Sequence, residues 1–413
     1  MPAAPQPGVL PFQEARALVE EHAHHLPRPR IETVDLLDAH GRVLAEDLHA
    51  DRDFPPFPRS TRDGFAVRSA DLNSLPARLR VTGEVQAGSA IGRHSVASGT
   101  AVEIMTGAPV PDGADSVVMV EYTRPDGDFV LIERGAGVGE NIVPPASEAR
   151  AGQALLAAGT HMRFPQFAIA AAIGRTQLRV FARPRVAILS TGDEIVDVAA
   201  QPAPHQIRNS NSYSLWAQIT AAGGEPVVLP IAPDNLHALR QLIEQGLTAD
   251  MLLMTGGVSM GKYDLVEKVL EQFSAEFFFT GALIQPGRPV VFGRVAEKDA
   301  ESRYFFGLPG NPVSTMVTFD LFVRPMLDGL SGSVPAPLQF LHAKLARDIH
   351  TKTGLTRFLP AKLGGLYEEA EVELVRWHGS GDIAALARAD CYVVVPPDRP
   401  HVAAGEMVAV MLR

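Results

Sequence analysis

The sequence predicts a multidomain α/β protein. A doubly wound, mainly parallel α/β domain is joined by a small β domain, a helical N-terminal domain and a C-terminal β-barrel domain. Three observations carry this. Between residues 183 and 330, apolar runs at 186–189, 226–231, 251–254, 290–292 and 304–306 alternate with helix-like stretches at 213–222, 235–246, 263–273 and 314–327. That alternation is the rhythm of a parallel sheet wrapped by helices. The flanking regions change to short strands between glycine turns. Finally, 413 residues exceed what one hydrophobic core comfortably holds.

Taken in order, Phe12 to His25 reads as an amphipathic helix, with Phe12, Ala15, Leu18, Val19 and His22 near one face. A proline cluster at Phe54-Pro55-Pro56 marks a boundary. Phe65-Ala66-Val67, Leu79 to Val85, Ala101 to Met105, Ser116 to Val120 and Phe129 to Ile132 fit a small β domain over 55–144. Residues 145–182 return to helix around Pro165 to Ile173 and are expected to pack back on 8–54, making the helical N-terminal domain discontinuous. The α/β domain follows over 183–330. Leu341 to Ala346, Val372 to Trp377, Tyr392 to Val395 and Met407 to Leu412 supply the barrel over 331–413.

Composition excludes some classes. Hydrophobic content of 46% and charge content of 20% are those of an ordinary globular chain. A net charge of −10 with no basic run argues against nucleic acid as a partner. The single cysteine, Cys391, lies beside an apolar run and reads as a buried strand thiol. No window has the length of a membrane span and no leader pattern opens the chain, so a cytoplasmic protein without membrane contact is expected. His22, His24 and His25 lack the i, i+4 spacing of a ligand pair and are expected at the surface.

Chemistry is expected at four Gly-rich loops, three of them directly behind strand-like runs. They are Ser190-Thr191-Gly192-Asp193-Glu194, Thr255 to Gly261, Gln285-Pro286-Gly287-Arg288-Pro289 and Leu308-Pro309-Gly310-Asn311-Pro312. Loops after strand ends are where open α/β sheets bind ligands, and glycines let backbone N–H groups reach an oxyanion. Gly256, Gly257 and Gly261 permit close approach, Ser259 adds a hydroxyl, and a helix beginning near Tyr263 aims its N-terminus at the same point. Asp193, Glu194, Asp234 and Asp264 would share one rim of the sheet, where carboxylates and phosphate oxygens suit a hard cation such as Mg²⁺. For Asp234 and Asp264, capping of the following helix is the competing explanation. Arg208, Lys262, Arg288 and Arg357 are the basic groups available to a pocket there.

Eight segments in order resemble the molybdopterin molybdenumtransferase family (MoeA, also the gephyrin E-domain type). They are Arg62 to Val67, Ile104 to Pro109, Ser190 to Glu194, Gln206 to Asn211, Thr255 to Asp264, Gln285 to Pro289, Leu308 to Ser314 and Gly379-Ser380-Gly381. The resemblance implies four domains and a homodimer whose cleft lies between the α/β domain of one subunit and the β domain of the other. It implies insertion of molybdate into the dithiolene of adenylylated molybdopterin, with release of AMP and with Mg²⁺. Asp63, Thr106, Glu194, Asp234 and Asp264 are then the expected catalytic residues, and Glu194, Asp234 and Asp264 the expected metal ligands. Thr191, Gly192, Asp193, Arg208, Gly256, Gly257, Ser259, Gly261, Gln285, Arg288, Pro309, Gly310, Asn311, Ser314, Arg357 and Ser380 are expected to bind substrate.

The chain departs from the family pattern where Gly281 and Gln285 replace basic residues, where Arg62 replaces methionine, and where Pro144-Pro145-Ala146-Ser147-Glu148-Ala149 replaces a charged pattern. Arg357 takes a shifted position in place of a Gly-Arg pair. Two competing functions are an adenylyltransferase acting on molybdopterin, which resembles the α/β domain alone, and a non-catalytic scaffold. The adenylyltransferase is also the expected protein partner.

Overall fold

The runs Arg185–Ser190, Met251–Thr255 and Arg303–Leu308 are apolar almost without interruption, because each is buried on both faces of one sheet. The computed structural model describes residues 8–256, 263–296 and 302–413, leaving the side chains of Tyr263 and Asp264 undescribed. The chain forms two units. One comprises the residues up to Val34, Ala39–Ala45 and Arg179–Arg413; the other comprises Asp35–Asp38 and Glu46–Leu178.

In the first unit the six-stranded sheet has the order Glu225–Val228, Arg185–Ser190, Met251–Thr255, Arg303–Leu308, Val291–Val295, Ala275–Phe279. The first four strands are parallel and the last two join antiparallel. Alternation along each strand splits the core in two. Val186, Ile188, Met251 and Leu253 face the helices Asn211–Ala221 and Pro312–Thr318. Ala187, Leu189, Leu252 and Met254 face the helices Leu236–Gly246 and Tyr263–Gln272.

The stretch expected as one helix over 314–327 is Pro312–Thr318, a π-type turn at Phe319–Val323, and Arg324–Leu330. Pro325 explains the break: it has no N–H to give the carbonyl of Leu321 four residues back. That carbonyl instead accepts from the guanidinium of Arg16.

Arg16 belongs to the helix Phe12–His24, which packs on Arg324–Leu330. The helix Phe164–Ala172, expected to share its domain, falls in the other unit. His22 corrects another expectation. It is half-buried, stacked on Phe278 with ring centroids 4.0 Å apart, and its Nδ1 lies 3.3 Å from the Tyr304 hydroxyl. His24 and His25 are exposed.

The C-terminal strands Thr356–Leu366, Glu369–Leu374, Phe340–Leu345, Met407–Leu412 and Cys391–Val395 close into a barrel, since the last also pairs with the first. Cys391 packs inside it, and burial pushes its thiol up to about 12. Ile284–Gln285 adds to the edge of the same barrel, so the QPGRP loop is carried between sheet and barrel.

The second unit is built on a six-stranded sheet ordered Ser116–Met119, Gly64–Val67, Thr100–Ile104, Ala77–Val85, Phe129–Ile132, Thr123–Asp126. Two short antiparallel pairings, Leu48–His49 with Ala154–Leu156 and Arg59–Ser60 with Ile142–Val143, bring the chain's entry and exit together.

Candidate functional site

At the C-terminal rim of the parallel strands, a cavity of about 730 Å³ is lined by Ser190, Thr191, Glu194, Arg208, Asn211, Thr255, Gly256, Gly310 and Asn311, among others. Its floor is set by close backbone approach. Gly256 has φ +88°, and a Cβ there would run into the Thr191 carbonyl oxygen. Gly310 faces Gly256 so closely that its own Cβ would lie 3.5 Å from the Gly256 Cα. At Gly256 only a glycine allows the loop and the Thr191 turn to converge.

Asn211 is placed by a buried polar network. The Ser190 hydroxyl donates to Asn209 Oδ1 at 3.2 Å, Asn209 Nδ2 donates to Ser212 Oγ at 3.0 Å, and the Ser212 N–H returns to Asn209 Oδ1 at 3.1 Å. Asn211 Nδ2 then donates at 2.8 Å both to Thr255 Oγ1 and to the Gly310 carbonyl. Its Oδ1 and the Thr191 hydroxyl are buried with no hydrogen-bond partner among the described residues. Such orphaned groups cost about 1–3 kcal/mol each unless something completes them. Both residues belong to the lining of the cavity.

A second cavity of about 830 Å³ adjoins the first, with Asn311 lining both. Gln285, Arg288, Pro309, Ser314, Lys352, Arg357 and Ser380 line it. Arg357 is only 6% exposed, and its Nη1 donates to the Leu355 carbonyl at 3.2 Å. Burial lowers the basicity of this guanidinium, and no acid pairs with it among the described residues. A buried cation facing an open cavity with Arg288 and Lys352 makes an anion-binding wall. The loop carrying Ser380 is tied down because its carbonyl accepts from the Val313 N–H at 3.0 Å.

The acidic residues divide. Glu194 lines the first cavity. Gly192, at φ +131°, brings the chain around so that a Cβ there would meet the Glu194 carboxylate. Asp193 turns its Oδ1 to the Asp234 N–H at 3.0 Å, so this oxygen holds two loops together. The capping explanation for Asp234 does not hold. Asn235 caps the Leu236–Gly246 helix, accepting from His237 and Ala238. Asp264 opens the Tyr263–Gln272 helix, but its side chain, like all of Gly257, Ser259, Gly261 and Lys262, lies outside the described residues.

In the second unit, Asp63 and Thr106 are hydrogen-bonded to each other. Asp63 Oδ1 accepts from the Thr106 N–H at 2.6 Å and its hydroxyl at 2.8 Å. These bonds hold the exposed Asp63 carboxyl below the usual carboxylate range. Gly64, at φ +158°, leaves no room for a Cβ against the Val118 carbonyl, which fixes where Asp63 leaves the sheet.

Residue-type reasoning missed Asn211, Thr255 and Lys352 as lining residues. Asn211 ends a motif quoted above, whereas Lys352 sits in a Thr-Lys-Thr-Gly turn that carries no signal. Gly281, where a relative's basic side chain is missing, is buried against Val9 and lines neither cavity. Gln285 does line the second.

The comparisons agree with this architecture along the whole chain. Residues 10–174 match the MoeA N-terminal region (domain I and II), 187–329 the probable molybdopterin binding domain, and 342–412 the MoeA C-terminal region (domain IV). The molybdopterin molybdenumtransferase of a Nostoc species is 34% identical over 390 residues, 92% of this chain and 88% of that protein. The Bacillus subtilis protein of the same name is 32% identical over 413 residues, covering 98% and 94%. The crystal structure of the molybdopterin biosynthesis MoeA protein from Pyrococcus horikoshii OT3 superposes with a TM-score of 0.80 at 29% identity, over 98% of this chain and 100% of that one. With these three regions in order and relatives above 30% identity at nearly full length, the chain belongs to the molybdopterin molybdenumtransferase family of molybdenum cofactor biosynthesis.

Proposed function

We propose that this chain inserts molybdate into the dithiolene of adenylylated molybdopterin and releases AMP. The carrying observation is the pair of adjoining cavities. One offers glycine loops and the orphaned Thr191 and Asn211 oxygens; the other offers the buried, acid-free Arg357 with Arg288 and Lys352. An elongated ligand with a phosphate ester at one end and an oxyanion reactant at the other suits that division of charge. The residues act by positioning and electrostatics: backbone N–H groups and the Thr191 hydroxyl orient the ester, while the Arg357 side concentrates the oxyanion.

The first cavity is rich in oxygen donors, with Glu194, Thr191 and Asn211 on its wall, and this set fits a hard cation such as Mg²⁺. Glu194, with Asp234 and Asp264, would hold the ion, which when bound offsets charge between carboxylates and phosphates.

A homodimer belongs to the same proposal, with Asp63 and Thr106 of one copy serving the cavities of the other. The exposed Asp63 carboxylate, already oriented by Thr106, supports that role. The proposed protein partner is the adenylyltransferase, because its reaction class makes the adenylylated substrate. Among the described residues no helix is long and apolar enough to cross a membrane. Activity in the cytoplasm is likewise proposed, as are domain limits at 55–144, 183–330 and 331–413.

The test is substitution without loss of fold. Asp63→Asn, Glu194→Gln and Asp264→Asn should each cut turnover by roughly a hundredfold, the scale of losing one oriented charged group, with unchanged circular dichroism. Parental rates in all three folded variants would sink the site assignment.

A further inference from the structure

The C-terminal barrel carries a second constellation, outside the lining of both cavities. The short strands Ile349–His350 and His401–Val402 pair antiparallel, with His350 directly opposite His401. Alternation turns Ile349 and Val402 inward, where they are 3% and 2% exposed, and leaves both histidines on the outer face. Asp348, two residues before His350, shares that outer face. The imidazoles stack with centroids 4.5 Å apart, and His401 Nε2 lies 3.1 Å from Asp348 Oδ2. One ligand atom from each of the three residues lies within 4.8 Å of the other two. Among the described residues this is the group of three acidic, histidine or cysteine side chains that meets that distance.

We propose that Asp348, His350 and His401 form a binding site for a first-row divalent cation of the zinc class, with water completing the coordination. The geometry is close to what such an ion needs. Bonds of about 2.0–2.1 Å in a tetrahedral site put neighbouring ligand atoms roughly 3.3 Å apart, and the His401–Asp348 pair is already near that spacing. The exposed His350 ring needs only a side-chain rotation to join them. Asp348 is held for the task, since its other oxygen accepts from the Ala404 N–H at 2.8 Å. Two imidazoles and one carboxylate favour zinc, nickel or copper over Mg²⁺, which prefers an all-oxygen shell. This site is therefore chemically distinct from the oxygen-lined cavity at the sheet rim. Ion pairing of His401 with Asp348 alone would not call for His350 on the same face at cross-strand distance.

The experiment uses the full chain, stripped with chelator, titrated with Zn²⁺ by calorimetry and with Co²⁺ followed by its visible absorption. With Mg²⁺ in excess to hold the oxygen-lined cavity, the parent should take up one equivalent that perturbs His350 and His401 resonances. His350→Gln and His401→Gln should each weaken binding at least about tenfold, the range seen when a metal's ligand environment is cut, while Glu194→Gln should leave it unchanged. Should either histidine variant lose its fold, Asp348→Asn gives the same readout. Binding of equal stoichiometry and affinity in the histidine variants, or no uptake by the parent, would overturn the assignment.

Discussion

Asp320→Asn should make the protein more stable at neutral pH. Asp320 lies in the π-type turn, where it accepts from Gln218 Nε2 at 2.8 Å and from the Tyr392 hydroxyl at 3.4 Å. Although partly exposed by area, its carboxyl is enclosed by protein, and burial raises its pKa from 3.8 to about 6, against the pull of Arg413. The sign is opposite to that of a paired surface acid. Between pH 4 and 6 the folded state holds a proton that the unfolded chain releases, so this group's contribution improves as pH falls through 6. Above that it is a full penalty. A shift of about two units corresponds to about 3 kcal/mol, and residual solvent contact reduces this to roughly 1–2 kcal/mol.

Asparagine keeps an acceptor for Gln218, turns its amide N–H toward the Tyr392 hydroxyl oxygen, and carries no charge. Chemical unfolding followed by tryptophan fluorescence should show the variant stabilised at pH 7.5, with the difference shrinking toward zero near pH 4. A variant destabilised at pH 7.5 would refute the reasoning and show that Asp320 acts as the ionised partner of Arg413.

The remaining expectations concern the cavities. Arg357→Gln should raise the KM for molybdate or lower kcat/KM by about 10- to 100-fold, the scale of one lost charge-assisted hydrogen bond of 1.5–3 kcal/mol; steady-state kinetics with parental binding of the organic substrate would check it, and unchanged molybdate dependence would remove Arg357 from the site. Gly256→Ala combines a left-handed backbone with a collision at the Thr191 carbonyl. It should cost more than about 1–2 kcal/mol in thermal unfolding and abolish turnover, and a variant of parental stability would show that the two loops do not converge there.

Much of the α/β domain was legible because its signal is local. Apolar runs such as Met251–Thr255 and the helix periods at 211–221 and 236–246 report burial directly. The longest strand of the barrel, Thr356–Leu366, was missed because Pro360 and Gly364-Gly365 interrupt its pattern, although barrel closure buries 357–361. The break in the 312–330 helix was readable in principle from Pro325, but its rescue by Arg16 depends on a contact 305 residues away. In the site, glycines announced themselves because φ is a local property. The half-buried His22 and the cavity position of Lys352 did not, since tertiary packing alone decides where those side chains end. Asn235 displaced Asp234 as a cap because the two are adjacent and equally suited by type.

The most direct measurement follows AMP release from adenylylated molybdopterin by the purified chain with Mg²⁺, with and without molybdate. Release that requires molybdate, and that falls in Glu194→Gln, is the expected result. Tight binding of the substrate with no release, or release at the same rate without molybdate, would contradict the insertion reaction and favour a carrier or a scaffold instead.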